Sequence, residues 1–253
     1  MNKEDYIAVF DSGVGGISVL RHLRSLMPGE RYLYFGDSAN APYGTKTREQ
    51  VRDLTFAAVE NLFARGIKAL VIACNTATSV AIGELREAYP DRILVGIEPA
   101  LKLAADHFPG GRIGVMATPI TLREEKFECL MRRYDTSCRV YKLPAPGLVE
   151  LIEAGRGNSP EAEKLLHSLL DPYAGKLDAV VLGCTHYPFA TRAISRVVGE
   201  QVLLLDGGEG TARETRRRLE EAGLLSRGPG EIRIENSRAD DALLQLSRDL
   251  LES

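Results

Sequence analysis

Short, unbroken apolar runs alternate along this chain with longer stretches in which apolar residues recur at helical spacing. The runs fall at 7–10, 32–35, 69–73, 93–97, 113–116, 139–143, 179–182 and 202–205. They are continuous rather than alternating, the pattern of parallel strands covered on both faces. Helix starts lie between them. Thr47-Arg48-Glu49-Gln50 is a capping box, and Val51, Leu54, Ala58 and Leu62 then share one face until Gly66 ends the helix. Thr121-Leu122-Arg123-Glu124 reads as a second capping box with Thr121 at the N-cap, and Ser159 before Pro160 as a further start. Strand–helix alternation of this kind predicts an α/β class with parallel sheets and right-handed crossovers.

The pattern also nearly repeats. ALVIACNTAT (69–78) and AVVLGCTHYP (179–188) each close an apolar run with a cysteine and open a polar turn. Upstream, IAVF (7–10) ends in Asp11-Ser12 with Gly13, Gly15 and Gly16, and IGVM (113–116) ends in Ala117-Thr118-Pro119-Ile120-Thr121 at a similar interval. The period is too long for a solenoid, so two related doubly wound α/β lobes are expected. Ligands of such folds sit beyond the carboxyl ends of the strands. Asp11, Asp37, Cys74, Thr118 and Cys184 all fall at or just past a predicted strand end.

Composition narrows the class. A chain of 253 residues can bury a substantial core, and a net charge of −3 offers nothing to nucleic acid or an anionic membrane. Arg213, Arg216, Arg217 and Arg218 alternate with Glu214, Glu220 and Glu221, which reads as a solvated helix face. The apolar runs are strand-length, short of the roughly 20 residues of a membrane-spanning helix, and MNKEDY leads straight into a strand without a signal-peptide core. Four cysteines without framework spacing suit a reducing compartment. An intracellular, cytoplasmic enzyme is the expectation.

The candidate chemistry rests on the thiols. Cys129 and Cys138, in a predicted helix and at a strand entrance, read as small buried hydrophobes. Cys74 and Cys184 sit in polar turns next to predicted helix N-termini, where backbone N–H groups and the helix dipole favour a thiolate. A thiol pair suits proton abstraction on one face of a ligand and donation on the other. No CxxC or HExxH spacing supports zinc or thioredoxin-like chemistry. The Asp11–Gly16 turn resembles a phosphate-cradling loop but is not GxGxxG, and GTKT (44–47) is not a Walker loop. Asp11 and Ser12 could bind an ammonium or act on a neighbouring thiol. Asn75, Thr76, Thr118, Thr121 and Thr185 are neutral donors that fit a small carboxylate better than a polyphosphate. His186 is a plausible partner for Cys184, and that pair could equally serve a nucleophilic mechanism.

At these residues the chain resembles the glutamate racemases, through VFDSGVGG (9–16), YFGDSANAPYGTKT (34–47), VIACNTAT (71–78), VGIEPA (95–100) and VLGCTHYP (181–188). The resemblance implies two α/β domains related by pseudo-twofold symmetry and facing across an active-site cleft, 1–97 with 208–253 and 98–207. It implies cofactor-independent interconversion of L- and D-glutamate for peptidoglycan synthesis, with no metal needed, and a homodimer. By position, Cys74 and Cys184 match the two acid/base residues, assisted by Asp11 and His186 respectively. Glu153 matches the glutamate that supports the histidine, and Asp37 another acidic site position. Ser12, Tyr43, Gly44, Asn75, Thr76, Thr118, Thr121, Thr185 and His186 match the substrate pocket. ATPIT (117–121) is an imperfect version of the family's second loop, and IRIENSRADD (232–241) replaces its usual C-terminal stretch. Aspartate or hydantoin racemases and a one-thiol decarboxylase are the nearest alternatives, and a non-catalytic binding protein the most distant.

Overall fold

The computed structural model describes residues 2–134 and 137–253. In chain order it begins β1 (Ile7–Asp11), α1 (Ile17–Leu26), β2 (Arg31–Gly36), α2 (Arg48–Ala64), β3 (Ala69–Ile72), α3 (Asn75–Ala88) and β4 (Ile93–Gly96). It continues with α4 (Leu101–His107), β5 (Arg112–Ala117), α5 (Glu125–Arg132), β6 (Arg139–Pro144), α6 (Leu148–Glu153), α7 (Pro160–Leu170), β7 (Ala179–Leu182), α8 (Thr191–Val198) and β8 (Leu203–Asp206). The chain ends with α9 (Gly208–Glu221), β9 (Glu231–Asn236) and α10 (Asp241–Glu252). Two compact units result, 1–98 with 208–253, and 99–207. Among the described residues no helix is long and apolar enough to cross a membrane.

All strand pairs are parallel. The first unit's sheet runs β4-β3-β1-β2-β9 and the second's β6-β5-β7-β8. Read from its other edge, the second order β8-β7-β5-β6 reproduces β4-β3-β1-β2. The registers agree too, with Ile7 opposite Ala69 and Ile113 opposite Ala179. The near-repeat in sequence is therefore a repeat of topology.

Continuous apolar runs follow from burial on both faces, and the second sheet shows it directly. Met116, Val180 and Leu182 face a core shared with α6, α7 and α8, whereas Ile113, Val115, Ala179 and Val181 face one shared with α4 and α5. Side chains alternate across a strand, so a run must be apolar throughout to fill both cores. The Thr47 capping box forms as expected, and Gly66 takes a positive φ of 76° just past α2. Ser159 caps α7 through the Ala162 N–H. Four corrections follow.

Strand β9 is absent from the predicted set. It is an edge strand of alternating residues, EIRIEN, and makes no continuous run. Thr121 is not the N-cap of an α-helix. It opens a 3₁₀ turn, Thr121–Arg123, and α5 begins at Glu125 with no side-chain cap from Glu124. Cys129 is exposed on α5 rather than buried, while Cys138 is buried. Cys184 does not adjoin an α-helix N-terminus. A 3₁₀ turn, Tyr187–Ala190, with Pro188 inside it, separates it from α8.

Gly83 lies inside α3, and a methyl group there would meet nothing within 4 Å. Gly83→Ala is expected to stabilise the protein by about 0.5–1 kcal/mol, because alanine loses less backbone entropy in a helix. Urea unfolding checks this, and a lowered midpoint would contradict it.

Candidate active site

In the first unit, Asp11 ends β1 and is fully buried, and its Oδ1 accepts the Gly13 N–H at 3.0 Å. A Cβ on Gly16 would stand 2.6 Å from Asp11 Cβ and 3.1 Å from Ala73 Cβ. That closeness is why the turn needs glycine there. Tyr34, fully buried, donates from its hydroxyl to the Gly13 carbonyl at 2.7 Å and fixes the loop from the next strand. Cys74 lies two residues past β3, as the N-cap of α3. Its sulfur accepts the Ala77 N–H at 3.4 Å, and its thiol lies 3.4 Å from Ser12 Oγ as donor. The unpaired N–H groups and dipole of a 14-residue helix favour negative charge at that sulfur.

Asn75 follows, 6% exposed, with neither amide atom hydrogen-bonded. A buried amide left unpaired costs about 1–3 kcal/mol, so this donor and acceptor are open to a ligand or a bound water. Thr76 is buried beside it. Asp37, buried just after β2, accepts the Tyr43 hydroxyl at 2.7 Å and the Asn40 amide at 3.1 Å. Burial and then the Asp37 charge push the Tyr43 hydroxyl far above the ordinary tyrosine range, with Cys74 and Asp11 adding to the effect. Tyr43 is thus a permanent donor near both residues. Asp37 holds the 3₁₀ turn Tyr43–Thr45, which includes Gly44.

In the second unit, Thr118 follows β5, and its hydroxyl meets the Thr121 hydroxyl at 2.9 Å and accepts the Thr121 N–H at 3.4 Å. Cys184 lies two residues past β7, the counterpart of Cys74. The parallel extends to the backbone: Ala73 N–H donates to Phe10 O at 2.8 Å and Gly183 N–H to Met116 O at 2.7 Å. Thr185 and His186 are buried beside Cys184. His186 Nδ1 stands 3.7 Å from the Cys184 sulfur, and its Nε2 2.9 Å from Oε1 of Glu153 at the end of α6. Burial alone would discharge this imidazole. The hydrogen bonds to Cys184 and Glu153 outweigh burial and raise it well above 6.5. His186 thus bridges the Cys184 sulfur on one side and the Glu153 carboxylate on the other. Tyr187, missed by sequence reasoning like Tyr34, is fully buried, and its hydroxyl donates to Ala145 O at 3.2 Å, tying the Cys184 turn to the segment leading into α6.

The two thiols thus share a topological position but not an electrostatic one. Cys74 faces a hydroxyl, backbone N–H groups and a helix terminus, and Cys184 faces an imidazole backed by a carboxylate. Among the described residues no three His, Cys, Asp or Glu are grouped to hold a metal ion.

Replacing Glu153 by glutamine removes one of the two partners that raise His186. A histidine raised in the fold contributes stability that is complete below its ordinary value near 6.5 and is lost as pH rises through the folded value. In Glu153→Gln the NMR titration of His186 is expected to move to lower pH, taking the stability loss with it. An unmoved titration would contradict this.

A model of the family described as Asp/Glu/hydantoin racemase matches residues 17–243. The chain belongs to that family. A glutamate racemase of Clostridium kluyveri is 50% identical, covering 100% of both chains. One from Clostridium perfringens strain SM101 is 49% identical over 99% of this chain and 97% of its own. The Escherichia coli glutamate racemase, solved with L-glutamate and the activator UDP-MurNAc-ala, superposes with a TM-score of 0.88 at 31% identity, over 98% of this chain and 95% of the other. Family membership covers both thiol-bearing turns.

Proposed function

We propose that this protein interconverts L- and D-glutamate by two-thiol acid/base catalysis and so supplies D-glutamate for cell-wall peptidoglycan. The observation that carries the reading is the placement of one cysteine, by identical topology, two residues beyond equivalent strands of two duplicated units. Full-length relatives at about half identity, named for this activity, specify glutamate. The site is read as cytoplasmic and specific for a small amino acid.

One thiolate removes the α-proton, and the other thiol, protonated, delivers a proton to the opposite face of the same carbon. The α-carbon is a very weak acid, so the carbanionic intermediate needs donors fixed in advance around its carboxylate. Asn75, Thr76, Thr118, Thr121 and Thr185 supply neutral donors, with Ser12, Tyr43 and Gly44 beside the first thiol. Asp11 orders the turn next to Cys74 and offers a carboxylate to an ammonium. His186 stabilises the Cys184 thiolate or returns a proton to it, and Glu153 keeps it charged. In each direction one sulfur must be ionised and the other protonated, so a bell-shaped pH–rate profile is expected.

Circular dichroism of L-glutamate and of L-aspartate, each incubated with the enzyme and no added cofactor, tests the assignment. Loss of signal from glutamate alone supports it, and inversion of aspartate alone overturns it. One observation favours a second reading. Cys184, His186 and Glu153 are aligned as nucleophile, base and orienter of a hydrolase. That reading leaves Cys74 without a task, and a trapped acyl-enzyme on Cys184 would support it.

A further inference from the structure

We propose that Asn236 and Ser237, at the end of β9, are positioning residues for the site: they hold the segment 36–43, whose Asp37 and Tyr43 belong to the proposed pocket. The inference deepens the proposed racemisation and rests on it. β9 supplies none of the site residues, but it pairs in parallel with β2, and Asn236 lies opposite Gly36. From there the C-terminal segment grips the loop after β2. Ser237 N–H donates to Gly36 O at 2.8 Å, and Ser237 Oγ accepts the Ala39 N–H at 3.0 Å. Asn236 Nδ2 donates to Ser38 Oγ at 2.8 Å. Asn236 Oδ1 accepts the Arg238 N–H at 3.0 Å, which orients the amide so that its donor end faces the loop.

Between these bonds sits Asp37, whose N–H donates to Asp11 O at 2.9 Å. Each residue from Gly36 to Ala39 is therefore tied to the end of β9 or of β1. The inner side has no slack, since a Cβ on Gly36 would stand 2.5 Å from Gly13 O and 2.9 Å from Asn236 Nδ2. Asp37 in turn anchors the rest of the loop, accepting the Tyr43 hydroxyl at 2.7 Å and the Asn40 amide at 3.1 Å. A loop that slackens at Ser38 and Ala39 frees Asp37 to move, and with it Tyr43 and the 3₁₀ turn that includes Gly44. Ser237 and Ala39 are exposed, so the bond between them adds little to global stability. Its effect falls on the loop, and through the loop on binding. A substrate that binds only the ordered loop has its apparent affinity reduced by the fraction of time the loop is ordered. At saturation the substrate itself holds the loop, and turnover is retained.

Steady-state kinetics of the full chain, followed by circular dichroism, test this with Asn236→Ala, Ser237→Ala, the double variant, and Ser237→Thr, which keeps the hydroxyl. The double variant is expected to raise KM for glutamate about tenfold, with kcat within about twofold of wild type. The fall in kcat/KM must be the same in both directions, because L- and D-glutamate are equal in free energy. Each single alanine variant should show a smaller rise of the same kind, and Ser237→Thr should stay within about twofold of wild type. Arg238→Ala changes the same segment, but its side chain pairs with Asp240 rather than the loop, so KM should not move. A merely structural role would lower the folded fraction, so that kcat falls while KM stays. Amide exchange gives a readout independent of racemisation. In the double variant Asp37 and Ala39 should exchange faster, while 32–35 of β2 keep wild-type protection. A wild-type chain that fails to racemise glutamate would defeat the proposed function, and exchange alone would then decide the clamp. A wild-type KM in the double variant, a loss confined to kcat, or unchanged exchange at Asp37 and Ala39 overturns the proposal.

Discussion

Cys74→Ala is expected to lower racemisation by about 10³-fold or more, and Cys184→Ala to do the same, with the fold preserved in both. The magnitude follows from general acid–base catalysis, in which a positioned group contributes about 10²–10⁴-fold. Under the proposed two-thiol scheme each turnover uses both sulfurs, one as base and the other as acid, so neither can substitute for its counterpart. Packing sets a much smaller scale. Cys74 and Cys184 are 5% and 7% exposed, and trimming one sulfur removes little apolar contact. At Cys74 the loss adds one weak cap, since the Ala77 N–H loses its acceptor. A purely structural cysteine would therefore show a modest change in stability and near-normal turnover. Initial rates by circular dichroism, with urea unfolding of the same variants, separate the two cases. Wild-type rates in Cys74→Ala would remove the two-thiol scheme.

The second large effect lies at the opposite ends of the strands. Lys68 and Glu30 form an ion pair at 2.5 Å with both side chains fully buried. The ammonium also meets the carbonyl oxygens of Lys3 and Leu224, and Glu30 accepts the Ser226 N–H at 2.8 Å. Four segments, entering β1, β2 and β3 and leaving α9, are thereby held together. Lys68→Met would leave a buried carboxylate without its cation, which costs about 3–5 kcal/mol. The surface pairs of α9 make the contrast. Glu214, between Arg217 and Arg218, has its carboxyl lowered to about 2 by those hydrogen bonds. Yet these side chains are solvated, and such pairs contribute below about 1 kcal/mol. Urea unfolding should rank Lys68→Met far below Arg217→Ala in stability. A Lys68→Met loss under about 1 kcal/mol would contradict the clasp.

Much of this architecture was legible before any coordinates, and the reasons are physical. Strands buried on both faces must be apolar at every position, so β1, β3, β5 and β7 announce themselves. The thiols stand out because each interrupts such a run with a polar turn, and the resemblance motifs surround them. The solvated reading of Arg213 to Arg218 holds, since the helix pairs them with Glu209, Glu214, Glu220 and Glu221. Strand β9 escaped notice because an edge needs apolar residues on one face only. At Thr121 the local pattern favoured a cap, but its hydroxyl is engaged by Thr118 and the chain tightens into a 3₁₀ turn first. After Cys184, Pro188 sits in a second such turn, and α8 starts only at Thr191. A buried lysine such as Lys68 has no sequence motif. Only the packing around it distinguishes it from a surface one.

The two-thiol scheme is tested most directly by the path of hydrogen in heavy water. D-glutamate is converted for a few percent of the reaction with no added cofactor, and deuterium at Cα is measured separately in the L-glutamate formed and the D-glutamate recovered. With two bases, the proton delivered comes from a sulfur that last exchanged with solvent. The product should be deuterated almost completely, while the remaining substrate keeps its original hydrogen. Deuterium entering recovered substrate and product at equal rates would show a single group serving both faces.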